Sequence, residues 1–123
     1  MKTISWFEIP TAELGRAVTF YETLLDQKLK PHSGPGPEMA IFPYTPEHTG
    51  GALIRDAQRT PDARGTLVYF ACDALTGGLD GCIARAAKAG GQVILPRTAI
   101  GDPGFIALVR DSEGNVIGLH AER

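Results

Sequence analysis

Apolar and polar positions along the chain fall into two similar runs of periodicity. Ile4-Ser5-Trp6-Phe7-Glu8-Ile9 reads as a strand, and a helix is predicted from about Thr11 to Leu25. Leu14, Val18, Tyr21 and Leu25 recur at helical spacing and make one apolar stripe. Thr11 is the predicted N-cap, because a hydroxyl there can accept from backbone N–H groups that the first turn leaves unpaired. Strand candidates follow at 27–31, 38–43 and 51–54, broken by Gly34-Pro35-Gly36-Pro37 and by the stretch 46–51.

The second run repeats this order. Residues 66–72 form a strand candidate in which Val68, Tyr69 and Phe70 suit a pleated surface. A helix follows with Leu79, Cys82, Ile83, Ala86 and Ala87 on one face, and Gly90-Gly91 sits where a helix C-cap needs glycine. Strand candidates recur at 92–95, 104–110 and 115–120, the last two joined by a tight turn over Asp111-Ser112-Glu113-Gly114-Asn115. The chain is therefore predicted to be α+β, two tandem β-α-β-β-β modules (1–54 and 66–123) in one domain, with the polar segment 55–65 as linker. One helix covers only one face of its sheet, so the two sheets are expected to curl around a shared cavity.

Composition narrows the function. At 123 residues and 43% hydrophobic content the chain has the size and material for one soluble domain. A net charge of -2 argues against a nucleic-acid partner, and the neighbouring Lys28 and Lys30 read as a solvated strand face. No stretch approaches the roughly 20 apolar residues of a membrane span, and Met1-Lys2-Thr3-Ile4 runs into a strand without a signal-peptide core. Two cysteines, Cys72 and Cys82, are too few for a disulfide framework. A cytoplasmic protein with no membrane partner is expected.

Several ordered segments resemble the vicinal-oxygen-chelate superfamily, the glyoxalase, bleomycin-resistance and dioxygenase-like domains. They are Trp6-Phe7-Glu8-Ile9-Pro10 with Glu13-Leu14, Ala17 and Phe20-Tyr21-Glu22, then Val68-Tyr69-Phe70-Ala71-Cys72-Asp73, Ala89-Gly90-Gly91, and Asp111 to Leu119. The resemblance spans nearly the whole chain and implies the two-module fold and a homodimer. Metal-using members of the superfamily hold a divalent ion with His, Gln or Glu on four strands, leaving open positions for vicinal oxygens. Carried onto this chain, three of those positions are Trp6, Leu67 and Gly118, and the fourth falls within Gly51-Ala52-Leu53. Indole, aliphatic side chains and glycine offer no lone pair to a metal. No metal and no cofactor is therefore expected at the usual place.

Strand alternation puts Trp6 with Glu8, Leu67 with Tyr69, and Gly118 with His120 on shared faces. The predicted cavity has Trp6, Leu67 and Tyr69 as walls and Glu8, His120 and the Tyr69 hydroxyl as polar handles, a composition that suits a small-molecule ligand. An inward carboxylate such as Glu8 is costly unless paired or wetted, so it reads as a general base or ligand contact, or as a structural hydrogen-bond partner. His120, three residues from the end, is a candidate acid partner or a bystander. Trp6 reads equally as a stacking surface for a flat ligand and as space filling. The segment 96–105 reads as a lid loop over the cavity whose Arg97 could meet an anionic group, or as a plain surface hairpin. His32 and His48 lie in Gly/Pro-rich loops and offer a weak alternative metal set with Glu8 and His120.

Three functions follow. The first is a protein that binds an apolar or aromatic small molecule without chemistry. The second is a metal-independent enzyme with Glu8 as base and His120 or Tyr69 as acid. The third is a metal-dependent glyoxalase or dioxygenase, against which the ligand positions weigh.

Overall fold

The computed structural model describes residues 3–123. The first half runs β1 (Trp6–Pro10), α1 (Leu14–Leu25), β2 (Lys30–His32), β3 (Glu38–Ile41) and β4 (Gly50–Arg55). The second runs β5 (Tyr69–Ala71), α2 (Gly78–Lys88), β6 (Gln92–Ala99), β7 (Phe105–Arg110) and β8 (Val116–Ala121). The α+β class and the doubled β-α-β-β-β order agree with the sequence pattern. Each half makes its own four-stranded mixed sheet, in the orders β1-β4-β3-β2 and β5-β8-β7-β6. The first strand of each sheet runs parallel to the last, and the remaining pairs are antiparallel.

The two helices pack on one another and on their sheets. Ile9, Phe20, Tyr21, Leu24 and Leu53 of the first half join Cys72, Leu79, Val109 and Leu119 of the second in one buried cluster. At about 1.5–3 kcal/mol for each large apolar side chain withdrawn from water, this shared core is the main force holding the halves together. Phe42 and Phe70 meet across the halves with ring centroids 5.4 Å apart, and Phe7 and Phe70 at 5.9 Å.

The buried stripe of α1 is Ala17, Phe20, Tyr21, Leu24 and Leu25, while Leu14 and Val18 lie at its half-buried margin. The stripe is thus centred about one residue from the predicted one. In α2, Leu79, Cys82 and Ala86 are buried as expected and Ala87 is exposed. The predicted glycine stop is present. Gly90 has φ +93, and Gly90 N–H and Gly91 N–H donate to Ala87 and Ala86 carbonyls, the bond pair of a Schellman ending.

Thr11 does not cap α1. The helix begins at Leu14, too late for Thr11 to reach its first turn, and the Thr11 hydroxyl donates instead to the Ile54 carbonyl at 2.9 Å. The carboxylate that holds the entry to α1 comes from the other half of the chain. Glu113, in the β7–β8 hairpin, accepts from Ala12 N–H at 2.9 Å and Glu13 N–H at 2.8 Å, and pairs with Arg16 at 2.7 Å. Negative charge at this end of a helix is favourable because the unpaired N–H groups carry its positive pole. Turn chemistry alone accounts for only part of Asp111–Asn115, since the same hairpin also ties the halves. Asp111 accepts from Tyr21 Oη at 2.5 Å, and Asn115 Nδ2 donates to the Pro10 carbonyl at 2.9 Å.

Among the described residues, no helix is long and apolar enough to cross a membrane.

Candidate functional site

Each sheet has a face away from its helix, and alternation assigns the site candidates to those faces. In β1, Phe7 and Ile9 point into the core, so Trp6 and Glu8 point to the other side. The indole Nε1 donates to Glu8 Oε2 at 3.2 Å. Trp6 pairs with Gly50 on β4, and Glu8 pairs with Ala52. Tyr44, in the loop before β4, meets Trp6 edge-on at 5.8 Å. A side chain at position 50 would begin about 3 Å from both rings, so the two aromatics close over bare backbone.

The second half has a related arrangement. Tyr69 on β5 pairs with Gly118 on β8, and a Cβ at position 118 would fall 2.2 Å from the tyrosine ring. The ring occupies the space a side chain there would need. Leu67 lies two residues before Tyr69 and is exposed like it. His120 pairs with Ala71, and its Nε2 lies 2.6 Å from the Pro103 carbonyl oxygen. A carbonyl only accepts, so Nε2 carries the proton in this bond.

Matching hydrogen bonds align the halves. Thr11 N–H donates to the Ile54 carbonyl, and Cys72 N–H donates to the His120 carbonyl, both at 2.8 Å. Counting back along the strands makes Trp6 equivalent to Leu67, Glu8 to Tyr69, and Ala52 to Gly118. The fourth position, open within residues 51–53 in the sequence, is thereby Ala52. Trp6, Ala52, Leu67 and Gly118 provide no metal donor, and Tyr69 blocks the approach to Gly118. Among the described residues no three His, Cys, Asp or Glu side chains are grouped to hold an ion. The residues present do not fit the divalent ion of the metal-using proteins.

Trp6, Leu67 and Tyr69, expected as walls of the shared cavity, stand on faces that the helices leave uncovered. These side chains are 37%, 38% and 43% exposed, because the two sheets do not close on one another and each uncovered face stays open. Glu8 is accordingly exposed rather than buried against an apolar wall. Arg97 is also displaced from its expected place. Strand β6 continues to Ala99, which leaves a short turn over residues 100–104 instead of a long lid. Arg97 sits 3.4 Å from Asp80 of α2 and 4.2 Å above the Phe105 ring, on the helix-covered side of its sheet. No hydrogen bond or ion pair among the described residues joins Glu8 to Tyr69 or His120. His48 bonds to Thr45 in its own loop.

A cavity of about 360 Å³ does lie at the seam between the halves. Glu8 lines it together with Phe7, Ile9, Pro10, Val68 and Ile117, while Thr60, Asp62 and Thr66 come from the linker and the approach to β5. Of the residues proposed from sequence, Glu8 alone reaches it. Periodicity gives no signal for the linker's part. The link from Asp62 N–H to Asn115 Oδ1, 3.0 Å long, spans 53 residues. Tyr44 was missed for the same reason, since it stands in an aperiodic loop.

No protein-family model and no curated protein matches this sequence, whereas solved structures match its fold. A glyoxylase/bleomycin resistance protein/dioxygenase domain from Frankia sp. EAN1pec superposes with TM-score 0.75 at 20% identity, over 100% of this chain and 99% of that one. A glyoxalase/bleomycin resistance protein from Albidiferax ferrireducens T118 gives 0.73 at 16%, over 98% and 99%. The V278E mutant of glyoxalase I from Zea mays gives 0.73 at 20%, over 96% of this chain and 45% of its own length. At these identities the likeness is one of fold.

Proposed function

We propose, for a chain that has the vicinal-oxygen-chelate fold of the glyoxalase and bleomycin-resistance structures, a small-molecule-binding role centred on Glu8 and independent of a chelated metal. The observation that carries this reading is the placement of Glu8. It is a carboxylate held by the Trp6 indole, lining a cavity with mostly apolar walls, on a face whose four would-be ligand positions have no donor. Apolar walls with a few fixed polar groups are what small-molecule sites commonly present. The Trp6 indole adjoins Glu8, and an apolar or aromatic compound is the ligand class that the cavity walls favour.

Catalysis by Glu8 has less support. A proton transfer needs an acid partner in reach, and the group bonded to Glu8 is an indole N–H, which does not exchange protons in this role. His120 is committed to Pro103. The open faces with Trp6, Leu67, Tyr69 and Ile94 exposed also support pairing of two copies, which would cover them.

Fluorescence of Trp6, the single tryptophan, tests the binding reading directly. Titration with small aromatic compounds should shift or quench its emission saturably and raise the melting temperature. Consumption of a bound compound would show that the protein is an enzyme instead.

A further inference from the structure

The charged side chains lining the seam cavity are Glu8 and Asp62, both carboxylates, and no Lys, Arg or His lines it. Neither belongs to an ion pair among the described residues, where the pairs are Arg16–Glu113, Lys28–Glu22 and Arg97–Asp80. We propose that the ligand of this cavity is a small organic cation, an ammonium group attached to an apolar body. The proposal rests on the small-molecule reading above and adds the charge of the ligand to it.

The hydrogen-bonding capacity of the cavity points the same way. Asn115, the amide in the lining, is spent. Its Nδ2 donates to the Pro10 carbonyl at 2.9 Å and to Asp111 Oδ2 at 3.1 Å, and its Oδ1 accepts from Asp62 N–H. Glu8 uses Oε2 for the Trp6 indole, and Asp62 uses Oδ1 for Arg64 N–H at 2.8 Å. That leaves Glu8 Oε1 and Asp62 Oδ2, which only accept and carry negative charge, beside the Thr60 and Thr66 hydroxyls, which can donate or accept. Among ligands of equal size, an anion is repelled by the two carboxylates, and a neutral compound gains only uncharged hydrogen bonds. An ammonium group supplies N–H donors and a countercharge, and charge-assisted bonds of that kind are the stronger ones.

The apolar body has a place as well. Phe7, Ile9, Pro10, Val68, Val116 and Ile117 supply the walls, and about 360 Å³ falls within the roughly 300–1,000 Å³ typical of small-molecule sites. Selection by charge here works through repulsion of the wrong ligand as much as attraction of the right one.

Three probes of one shape test this: 4-phenylbutylamine, 4-phenylbutanol and 4-phenylbutyrate, titrated at pH 7 and followed by Trp6 fluorescence and calorimetry. The amine should bind at least about ten-fold more tightly than the alcohol, with the butyrate weakest, as expected when charge-assisted bonds are present in one partner alone. Glu8→Gln and Asp62→Asn keep acceptors for the indole and for Arg64 N–H. Each should weaken the amine about five-fold or more and weaken the alcohol by less, because the amine alone loses a countercharge. Equal binding of amine and alcohol, or no response of the amine to either substitution, overturns the cation assignment and leaves the small-molecule reading standing. Tighter binding of the butyrate overturns it as well. Saturable binding by none of the three removes both.

Discussion

Tyr69 lies with its ring over Gly118, directly across the parallel pair β5–β8, where an added Cβ would come within 2.2 Å of the ring. The two residues are therefore a matched pair, a large flat side chain resting on backbone. Gly118→Ala should force the ring off its seat and cost about 1–3 kcal/mol, the range for overpacking a fitted contact. In a Tyr69→Ala background the same substitution should cost markedly less, because the clash is gone. Chemical denaturation of the single and double variants reads this coupling, and additive effects would show that the ring does not rest there.

The same pair decides the question of a metal. Restoring one carboxylate by Gly118→Glu gives a single donor against Trp6, Ala52 and Leu67, and one donor does not hold a divalent ion with open coordination positions. Protein purified without chelators and dialysed against zinc, nickel, manganese or iron should retain only substoichiometric metal. Stoichiometric retention of any of them in elemental analysis would reverse the assignment of these positions.

The order of elements was legible in the sequence because each stretch carried its own period. The strand over Trp6–Pro10, the helix ending at Leu25 and the Gly90-Gly91 stop all depend on neighbours within a few residues. The partnership of Trp6 with Glu8 was legible too, since alternation alone puts them on one face. What failed to show was everything set by distant partners. Thr11 looks like a cap by composition, yet the carboxylate beside the start of α1, bonded to Ala12 and Glu13 N–H, arrives from Glu113, about 100 residues away. Arg97 looks like a loop residue because Pro96 and Gly101 flank it, but β6 runs on through bulges in its pairing with β7. The openness of the Trp6 and Tyr69 faces depends on how two sheets sit together, for which no local pattern exists. Asp62 and Tyr44 reach the site from aperiodic segments that sequence reasoning treats as spacers.

Tyr21 and Asp111 form a buried polar link between the halves, with the phenol donating at 2.5 Å. Burial pushes the Tyr21 phenol well above its ordinary value of 10, and the Asp111 charge pushes it further the same way. A raised folded value means that the native state keeps a proton the unfolded chain loses, so stability should fall as pH rises past 10. Tyr21→Phe removes the donor but leaves Asp111 its bonds from Asn115. The substitution should cost about 1–3 kcal/mol in urea denaturation and flatten the alkaline loss. An unaltered alkaline limb would show that Tyr21 does not govern it.

Glu113 gives the opposite pH signature. Burial works to raise its carboxyl, but the Arg16 guanidinium, Glu13 N–H, the Ser112 hydroxyl and Ala12 N–H together outweigh it and hold the group at about 2, below its ordinary 4.5. A depressed folded value contributes stability that is fully present above 4.5 and is lost as pH falls toward 2. Glu113→Gln keeps Oε1 as the acceptor for both Ala12 N–H and Glu13 N–H while removing the charge that pairs with Arg16 beside the start of α1. It should lower stability at pH 7 by about 1–2 kcal/mol, as loss of a helix-capping charge commonly does. Between pH 4.5 and 2 the variant and the parent should converge, because protonation does to the parent what the substitution did. Melting curves across that window decide it. A gap between the two proteins that stays constant down to pH 2 would mean that Glu113 acts by shape and not by charge.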